Sequence, residues 1–526
     1  MTTSFGIYII LVLIILLLVM ASEKLRLATP IVLLVGGLLL SFIPRLSNIT
    51  IDPQLIFIIF LPPLLYEAAW YTSWKELWRW RRVVSSFAFL IVILTSLVVA
   101  FVSSAVIPGF TMALGFLLGG IIAPPDAVSA TSVLKRVKVP RRLSAILEGE
   151  SLLNDASGLV IFRYALIAVD TGRFIFHQAA LSFVVVIVMG ILTGIAIGML
   201  FFAAHKWLPV SISSDIVLSL VTPYVMYIVA ESFHFSGVLS VVSGGLFLST
   251  RNHLFLNYRS RLRGLNVWTT LSFVLNGLIF LLIGLELPSI IHQLGPVGLG
   301  SAIKYGVLIT LLLFVGRILS TFGAAVFTVF ISRYITTADN RPGWKGPLAL
   351  GWAGMRGVVS LAAALSIPTH LSNGNPFPQR DLILFITFVV IVLSLLVQGL
   401  SLPWLIRKIK LEDADNRPAL EEQDTEVRKR LAEFSLDFIQ KQNGSSDNQF
   451  LRQLVARFNN DHLPPELIHT EDHARYKEIY TDLLESQRLF LVDLNKELEI
   501  DEAIIRKYQG LVDLEEEKLF SKFEIE

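Results

Sequence analysis

Apolar runs long enough to span a membrane recur along the first 410 residues, and they restrict the fold more than any other feature. A helix needs about 20 mainly apolar residues to cross ~30 Å of hydrocarbon. In lipid, the backbone N–H and C=O groups of a span must be hydrogen-bonded within the protein, and an apolar run of this length achieves this by forming a helix. The pattern predicts an all-α membrane protein with about thirteen transmembrane helices, at residues 5–20, 28–43, 54–70, 83–107, 111–134, 145–169, 179–204, 213–232, 236–250, 266–287, 299–332, 347–369 and 381–406.

Charge divides the chain into two parts. Only 16% of the 526 residues are charged, against about 25% in a typical soluble protein. Residues 1–410 hold 29 Lys and Arg but 14 Asp and Glu, whereas residues 411–526 hold 15 and 28. We therefore expect a transmembrane domain at 1–410 and an acidic tail at 411–526. The tail has helical periodicity, as in "YTDLLESQRLFLVDLNKEL", and favours a regulatory or dimerisation role.

Several kinds of function and site are excluded or disfavoured. The chain has no cysteine, so it has neither disulfides nor thiolate metal sites. The tail has no glycine-rich nucleotide-binding loop and no metal-ligand spacing. We expect no enzymatic activity, no cofactor and no nucleic-acid partner. The first apolar run follows no basic residue and precedes no small-residue cleavage pattern, so we interpret it as a retained span.

Loop charges predict the orientation. With the N-terminus outside, 22 Lys and Arg residues fall in inner loops and 4 in outer loops, namely Arg45, Arg173, Lys304 and Arg380. Cytoplasmic loops carry the excess of basic residues. This bias predicts an external N-terminus, a cytoplasmic tail and an odd number of spans, in a multi-pass protein of the cell membrane.

Ionisable residues inside the spans indicate function. A charge is costly at the bilayer centre, so such residues usually face the bundle interior and mark an ion path. They are Glu67, Asp126, Glu150, Asp155, Arg163, Arg317 and Arg356.

Two spans contain helix-breaking sequences. In "GGIIAPPDAVSATSVL", Pro124 and Pro125 free backbone carbonyls directly before Asp126. In "GWAGMRGVVSLAAAL", glycines flank Arg356. If spans 1–6 and 8–13 form inverted repeats, the two breaks occupy equivalent positions, which is typical of a transporter site. The alternative for the first break is a simple proline kink with Asp126 capping the second half-helix.

The stretch "EGESLLNDAS" places three polar residues on two helix faces. Ser151 and Asp155 are four residues apart and share a face, whereas Glu150 lies about 140° round the helix from Asp155. Asp155 can therefore face a cavity while Glu150 pairs with a buried arginine, either Arg356 or Arg317. The alternative is that Asp155 is itself only a salt-bridge partner. Another double proline, in "FLPPLLYEAAW", precedes Glu67, which is either a site residue or a group near the interface of a kinked helix.

Together these stretches resemble the sodium/proton exchanger family, in its bacterial and archaeal NhaP-like electroneutral branch. The motifs are "FLPPLLYEA", "APPDAVSA", "GESLLNDA", "FLLIGLEL" and "GMRGVVSLA", in that order within residues 5–407. The resemblance implies thirteen helices in two inverted six-helix repeats, two crossed discontinuous helices and a homodimer.

The resemblance also implies roles for the site residues. Asp155 matches the carboxylate that alternately holds the cation and the proton. Asn154 matches the partner residue of the electroneutral branch. Ser151 and Glu67 match further cation ligands, and Asp126 matches the acidic residue at the crossing of the broken helices.

The remaining implied roles concern a structural cluster and one departure. Glu150, Arg356 and Arg317 match a buried ionic cluster near the site. Many relatives have a threonine where this chain has Pro125, so only a backbone carbonyl could serve as a cation ligand there.

One buried carboxylate is sufficient for exchange. A proton or a small hard cation can neutralise Asp155, and oxygen ligands suit such a cation. An empty charged site is costly to move through an apolar gate, so only loaded forms cross. The sequence thus predicts antiport of Na⁺ for H⁺, with one charge exchanged for one, and leaves Li⁺ and K⁺ open. The alternatives are a cation channel and a membrane protein that senses pH through its tail.

Overall fold

A computed structural model of the chain is entirely helical in the part that it describes. It describes residues 2–25, 27–43, 53–126, 130, 133–134, 139–173, 176–208, 211–292, 294, 298–331, 343–411, 418, 420–442 and 470–523. These residues form no strand; the only extended pairing among them is a single bridge between His370 and Pro376. The all-helical prediction is confirmed.

Sixteen helices precede the tail in the described part of the chain. They are α1 Thr2–Leu25, α2 Thr29–Leu40, α3 Pro53–Tyr71, α4 Trp74–Arg79, α5 Arg81–Val106, α6 Met112–Ile122, α7 Arg141–Thr171, α8 Phe176–Trp207, α9 Ile212–Ser232, α10 Gly237–Ser249, α11 Asn252–Phe255, α12 Tyr258–His292, α13 Leu299–Ile331, α14 Lys345–Trp352, α15 Val358–Leu365 and α16 Arg380–Ile409. The tail adds α17 Leu420–Gln442, α18 Thr470–Leu494 and α19 Glu502–Phe523.

By length and composition, seven of the described helices can cross a membrane. They are α5, α7, α8, α9, α12, α13 and α16. Three shorter apolar helices, α2, α6 and α10, are 10–17 residues long. The sequence predicts about thirteen spans. Each of these ten helices overlaps one of the predicted spans.

Both helix breaks occur where prolines and glycines predict them. Helix α6 ends at Ile122, and residues 123–126 are not helical because Pro124 and Pro125 cannot continue the hydrogen-bond ladder. Most of the second half of this span, 127–134, lies outside the described residues. The second break separates α14 from α15 at residues 353–357, around Arg356.

Close packing brings the first break against α7. A Cβ atom on Gly158 would lie 2.3 Å from the Pro124 side chain, and one on Gly120 would lie 2.7 Å from the main-chain nitrogen of Phe162. These glycines let the backbones approach more closely than larger residues permit. Hence α6 and its break lie directly against the helix that carries Asp155.

Two π-helical segments form hydrogen bonds with other parts of the first unit, one with α7 and one with the second break. In α5, residues Ser86–Ile91 are π-helical, and the Ala88 carbonyl accepts a 2.7 Å hydrogen bond from Ser157 of α7. In α16, residues Ser394–Gln398 are π-helical, and Ser394 Oγ accepts from the main-chain nitrogen of Arg356 at 3.1 Å. Segments of this kind leave backbone groups available for tertiary contacts and recur at functional sites.

The chain divides into two compact units. The first comprises residues 1–204, 217–250 and 268–413, and it holds the apolar helices and the breaks. The second comprises residues 205–216, 251–267 and 414–526. It therefore combines the tail with two short segments of the preceding chain.

The second unit has its own core and polar contacts. Tail helices pack through residues such as Val427, Leu483 and Ile505, all at most 1% exposed. Asp513 of α19 accepts hydrogen bonds from Arg261 of α12 and from Arg488 of α18, with Nε–Oδ distances of 2.8 and 3.1 Å. The prediction of a helical tail is confirmed for the tail residues that the structure describes; the domain boundary at 410 stays a prediction.

Candidate functional site

A cavity of about 800 Å³ in the first unit collects most of the predicted site residues. Its walls come from α1, α2, α3, α7, α12, α15 and the first helix break. Most of the lining is apolar. Its acidic residues are Glu23, Glu67, Asp126, Glu148 and Asp155.

Helix α7 presents Asp155 and Ser151 to this cavity. Both residues line it, and Asp155 is only 7% exposed. Glu150 is fully buried and does not line the cavity. The two-face arrangement expected from the spacing is therefore the one that the helix adopts.

Glu67 and Asp126 also belong to the acidic lining of the cavity. Glu67 lies on α3, which continues as a helix through Pro62 and Pro63. Asp126 lies in the first break. The structure thus brings Glu67, Asp126, Ser151 and Asp155 to one cavity.

Asn154 and Pro125 contact each other and do not line the cavity. Asn154 Nδ2 donates a 2.8 Å hydrogen bond to the Pro125 carbonyl. Its Oδ1 atom is buried and has no hydrogen-bond partner among the described residues. Asn154 therefore connects the helix of Asp155 to a backbone carbonyl in the first break.

The two breaks touch. The main-chain nitrogen of Asp126 donates to the Met355 carbonyl at 2.7 Å. Arg356 Nε donates to the carbonyl of Ile122, and its Nη1 donates to that of Gly354 at 2.7 Å. The Arg356 guanidinium thus donates to one carbonyl at the end of α6 and to one within the second break, and it satisfies buried acceptors that the breaks expose.

The buried partner of Glu150 is Arg317. Both guanidinium Nη atoms donate to the two carboxylate oxygens, with Nη2–Oε2 at 2.6 Å. Arg317 is 3% exposed, and its guanidinium lies 5.4 Å from the ring centroid of Phe87. Of the two candidate arginines, Arg317 forms the ion pair, while Arg356 binds the breaks.

Three polar residues of α12 also line the cavity, and the sequence reasoning missed them. Thr269, Ser272 and Asn276 follow an i, i+3, i+7 spacing, so they share one face of the helix. The signal was present in "TTLSFVLNG", where polar residues recur at helical spacing within an apolar run.

The cavity lining offers oxygen atoms as possible cation ligands. Among the described residues, no cluster of three or more His, Cys, Asp or Glu side chains could hold a metal ion. The cavity instead combines separate carboxylates with hydroxyl groups, which are hard oxygen ligands.

Comparison with known proteins assigns the family. Residues 9–408 match the model of the family described as "Sodium/hydrogen exchanger, transmembrane". The chain belongs to the sodium/hydrogen exchanger family. It is a multi-pass membrane protein and a cation/proton antiporter, and the resemblance of its motifs to NhaP-like exchangers is confirmed.

Relatives of the exchanger extend over most of its length. A Mycobacterium tuberculosis protein described as an uncharacterized Na⁺/H⁺ exchanger is 30% identical in an alignment of 523 positions that covers 96% of this chain and 94% of that protein. A Bacillus subtilis protein described as a sodium, potassium, lithium and rubidium/H⁺ antiporter is 29% identical, over 82% of this chain and 64% of its own.

A solved structure has a similar fold. The sodium proton antiporter MjNhaP1 of Methanocaldococcus jannaschii, determined at pH 8, aligns with a TM-score of 0.60 at 20% identity. The alignment covers 78% of the exchanger and 99% of that chain. At this identity, the similarity concerns the fold alone.

Proposed function

We propose that the exchanger moves Na⁺ and H⁺ in opposite directions by binding them alternately at Asp155. The observation that supports this most directly is the position of Asp155: it is buried, lines a cavity and lies on the helix packed against the first break. No guanidinium of the described residues pairs with Asp155, so a proton or a cation can neutralise this buried carboxylate. Glu150 is already paired with Arg317, so we assign it a structural role.

The cation site combines side-chain oxygens from three elements. Asp155 and Ser151 supply a carboxylate and a hydroxyl from α7, Glu67 supplies a second carboxylate from α3, and Asp126 acts at the break. Their common position on one cavity supports this set. The Pro125 carbonyl accepts the Asn154 amide and does not line the cavity, so we assign it to holding α7 against the break and not to the set of cation ligands.

The cycle is electroneutral. Asn154 is neutral, so the Asn154–Asp155 pair releases one proton for each cation bound. Glu67 and Asp126 keep a constant protonation state through the cycle. Glu150, Arg317 and Arg356 hold α7, α13 and the two breaks together while the site changes its access from one side to the other.

The architecture follows the family pattern. About thirteen helices cross the cell membrane, in two inverted six-helix repeats with the breaks in equivalent spans. The N-terminus is outside, residues 411–526 form a cytoplasmic domain, and two copies associate as a homodimer. Contact between the two breaks supports the crossing of the discontinuous helices. Glu23 and Glu148, near the helix ends next to basic loops, indicate that the cavity reaches toward the cytoplasm.

Cation choice requires measurement, since related antiporters from Bacillus are named for sodium, potassium, lithium and rubidium. Purified protein is reconstituted in vesicles with a preset proton gradient, and each chloride salt is added in turn. We expect the wild-type protein to collapse the proton gradient when Na⁺ is added. The Asp155→Asn variant should leave the gradient intact with every cation. Exchange by the folded Asp155→Asn variant above a tenth of the wild-type rate would overturn the role of Asp155.

A further inference from the structure

Two walls of the cavity carry matching polar spacings. Each presents three residues at i, i+3 and i+7, which at 1.5 Å per residue cover about 10 Å along the helix. The wall on α7 is acidic and the wall on α12 is neutral: the residues are Glu148, Ser151 and Asp155 on α7, and Thr269, Ser272 and Asn276 on α12.

Ser272 is the unusual member of the α12 wall. It is 3% exposed, yet its hydroxyl has no hydrogen-bond partner among the residues that the structure describes. Buried helical hydroxyls in this protein usually bond back to the preceding turn, as Thr222 does to the Leu218 carbonyl and Thr310 to the Gly306 carbonyl, both at 2.7 Å. Burying an unpaired hydroxyl is unfavourable, so this group is suited to a partner that occupies the cavity.

Asn276 adds a second neutral oxygen one turn further along. It lies four residues after Ser272 on the same face and is partly exposed to the cavity. A hydroxyl and an amide oxygen can replace water around a monovalent cation without adding charge. Neutral ligands therefore adjust which cation fits while leaving the charge balance at Asp155 unchanged.

We propose that Ser272 and Asn276 form a second, neutral half of the cation site and determine cation preference. They bind the partly dehydrated ion through Oγ and Oδ1 from the α12 wall, while Asp155 and Ser151 bind it from the α7 wall. Thr269, which is exposed, receives the hydrated ion nearer the entrance. This inference rests on the proposed exchange at Asp155.

The test compares two serines that differ in their relation to the cavity. Ser96 of α5 is also fully buried with an unpartnered hydroxyl among the described residues, but it does not line the cavity. Ser272→Ala and Ser96→Ala remove the same atom. Exchange is measured in vesicles as a function of Na⁺, Li⁺, K⁺ and Rb⁺ concentration, so that KM and kcat are separated for each ion.

For Ser272→Ala we expect the KM for the preferred cation to rise by about tenfold, a loss typical of one neutral ligand. We also expect altered ratios of KM among the four ions, with kcat little changed. Ser272→Thr should recover the wild-type ratios because it restores the hydroxyl, and Ser96→Ala should leave every KM unchanged. Asn276→Ala should also shift the KM ratios among the ions. If Ser272→Ala does not fold, the test uses Asn276→Ala in its place.

Two results would decide against this role. Unchanged KM ratios in folded Ser272→Ala and Asn276→Ala overturn it, as does an equal shift in Ser96→Ala. Wild type and Asp155→Asn are assayed in the same vesicles. If wild type exchanges and Asp155→Asn does not, a negative result at Ser272 refutes only the α12 half-site. If Asp155→Asn still exchanges, the proposed function fails instead.

Discussion

Asp126 and Met355 are joined across the two helix breaks by a 2.7 Å hydrogen bond from the main-chain nitrogen of Asp126 to the carbonyl oxygen of Met355. Residues 229 positions apart in the chain thus meet where regular helix is interrupted in both spans. Unpaired backbone groups are not tolerated in lipid, so each break stabilises the other. The contact also fixes Asp126 beside the cavity.

Gly357→Ala should disrupt this crossing. A Cβ atom at this position would lie 1.8 Å from Asp126 Oδ2, so either the carboxylate or the backbone must move. We expect exchange to fall by about a hundredfold, the loss typical of a misplacement of about 1 Å in a site. The control is Gly316→Ala on α13, where nothing lies within 4 Å of the added atom. Equal activity of the two variants would show that the crossing tolerates displacement of Asp126.

Glu150 and Arg317 should behave as a coupled pair. Glu150→Gln and Arg317→Met each leave a buried group unpaired, at a typical cost of ~3–5 kcal/mol. The double variant should recover part of that loss, as seen in melting temperatures of detergent-purified protein. Losses that simply add would contradict the pairing. Glu433→Gln breaks an exposed tail pair with Lys429, 64% and 69% exposed, and should cost no more than about 1 kcal/mol.

Exchange should not respond to membrane voltage. One cation replaces one proton at Asp155, so no net charge crosses. Moving one charge would couple ~2.3 kcal/mol per 100 mV into the cycle, which a potassium–valinomycin clamp would reveal as a shift in the equilibrium cation ratio. That experiment requires a non-potassium substrate such as Na⁺. A shift of this size would show that a second proton moves, with Asp126 and Glu67 as its candidate carriers.

Asp513→Asn should change the rate or the pH profile of exchange without abolishing it. Asp513 accepts from both Arg261 and Arg488 in the second unit, and its side chain is 5% exposed. Arg261 lies on the first turns of α12, the helix that also carries Ser272. The matched control is Asp493→Asn, whose pair with Lys496 is about three-quarters exposed.

Removing residues 411–526 should leave exchange measurable. None of the tail residues that the structure describes lines the cavity, so a truncated chain should still exchange, with an altered rate or pH profile. Complete loss of transport in a folded truncated protein would contradict this prediction, because the tail would then be required for the cycle itself.

Local chemistry in the sequence determined the helices, their two breaks and the faces of α7. Proline removes a hydrogen-bond donor and clashes with the preceding turn wherever it stands, so the break before Asp126 could be placed from Pro124 and Pro125 alone. Helical periodicity likewise placed Ser151 with Asp155 and turned Glu150 away, because residues three or four apart always share a face.

Only the tertiary structure decided which distant groups meet. The sequence left Glu150 with two candidate arginines, and helix packing selected Arg317, 167 residues away. It also joined Asn154 to the Pro125 carbonyl and added Ser272 to the cavity. The residue types show that a buried charge or carbonyl needs a partner. Which group becomes that partner depends on how helices far apart in the chain pack together.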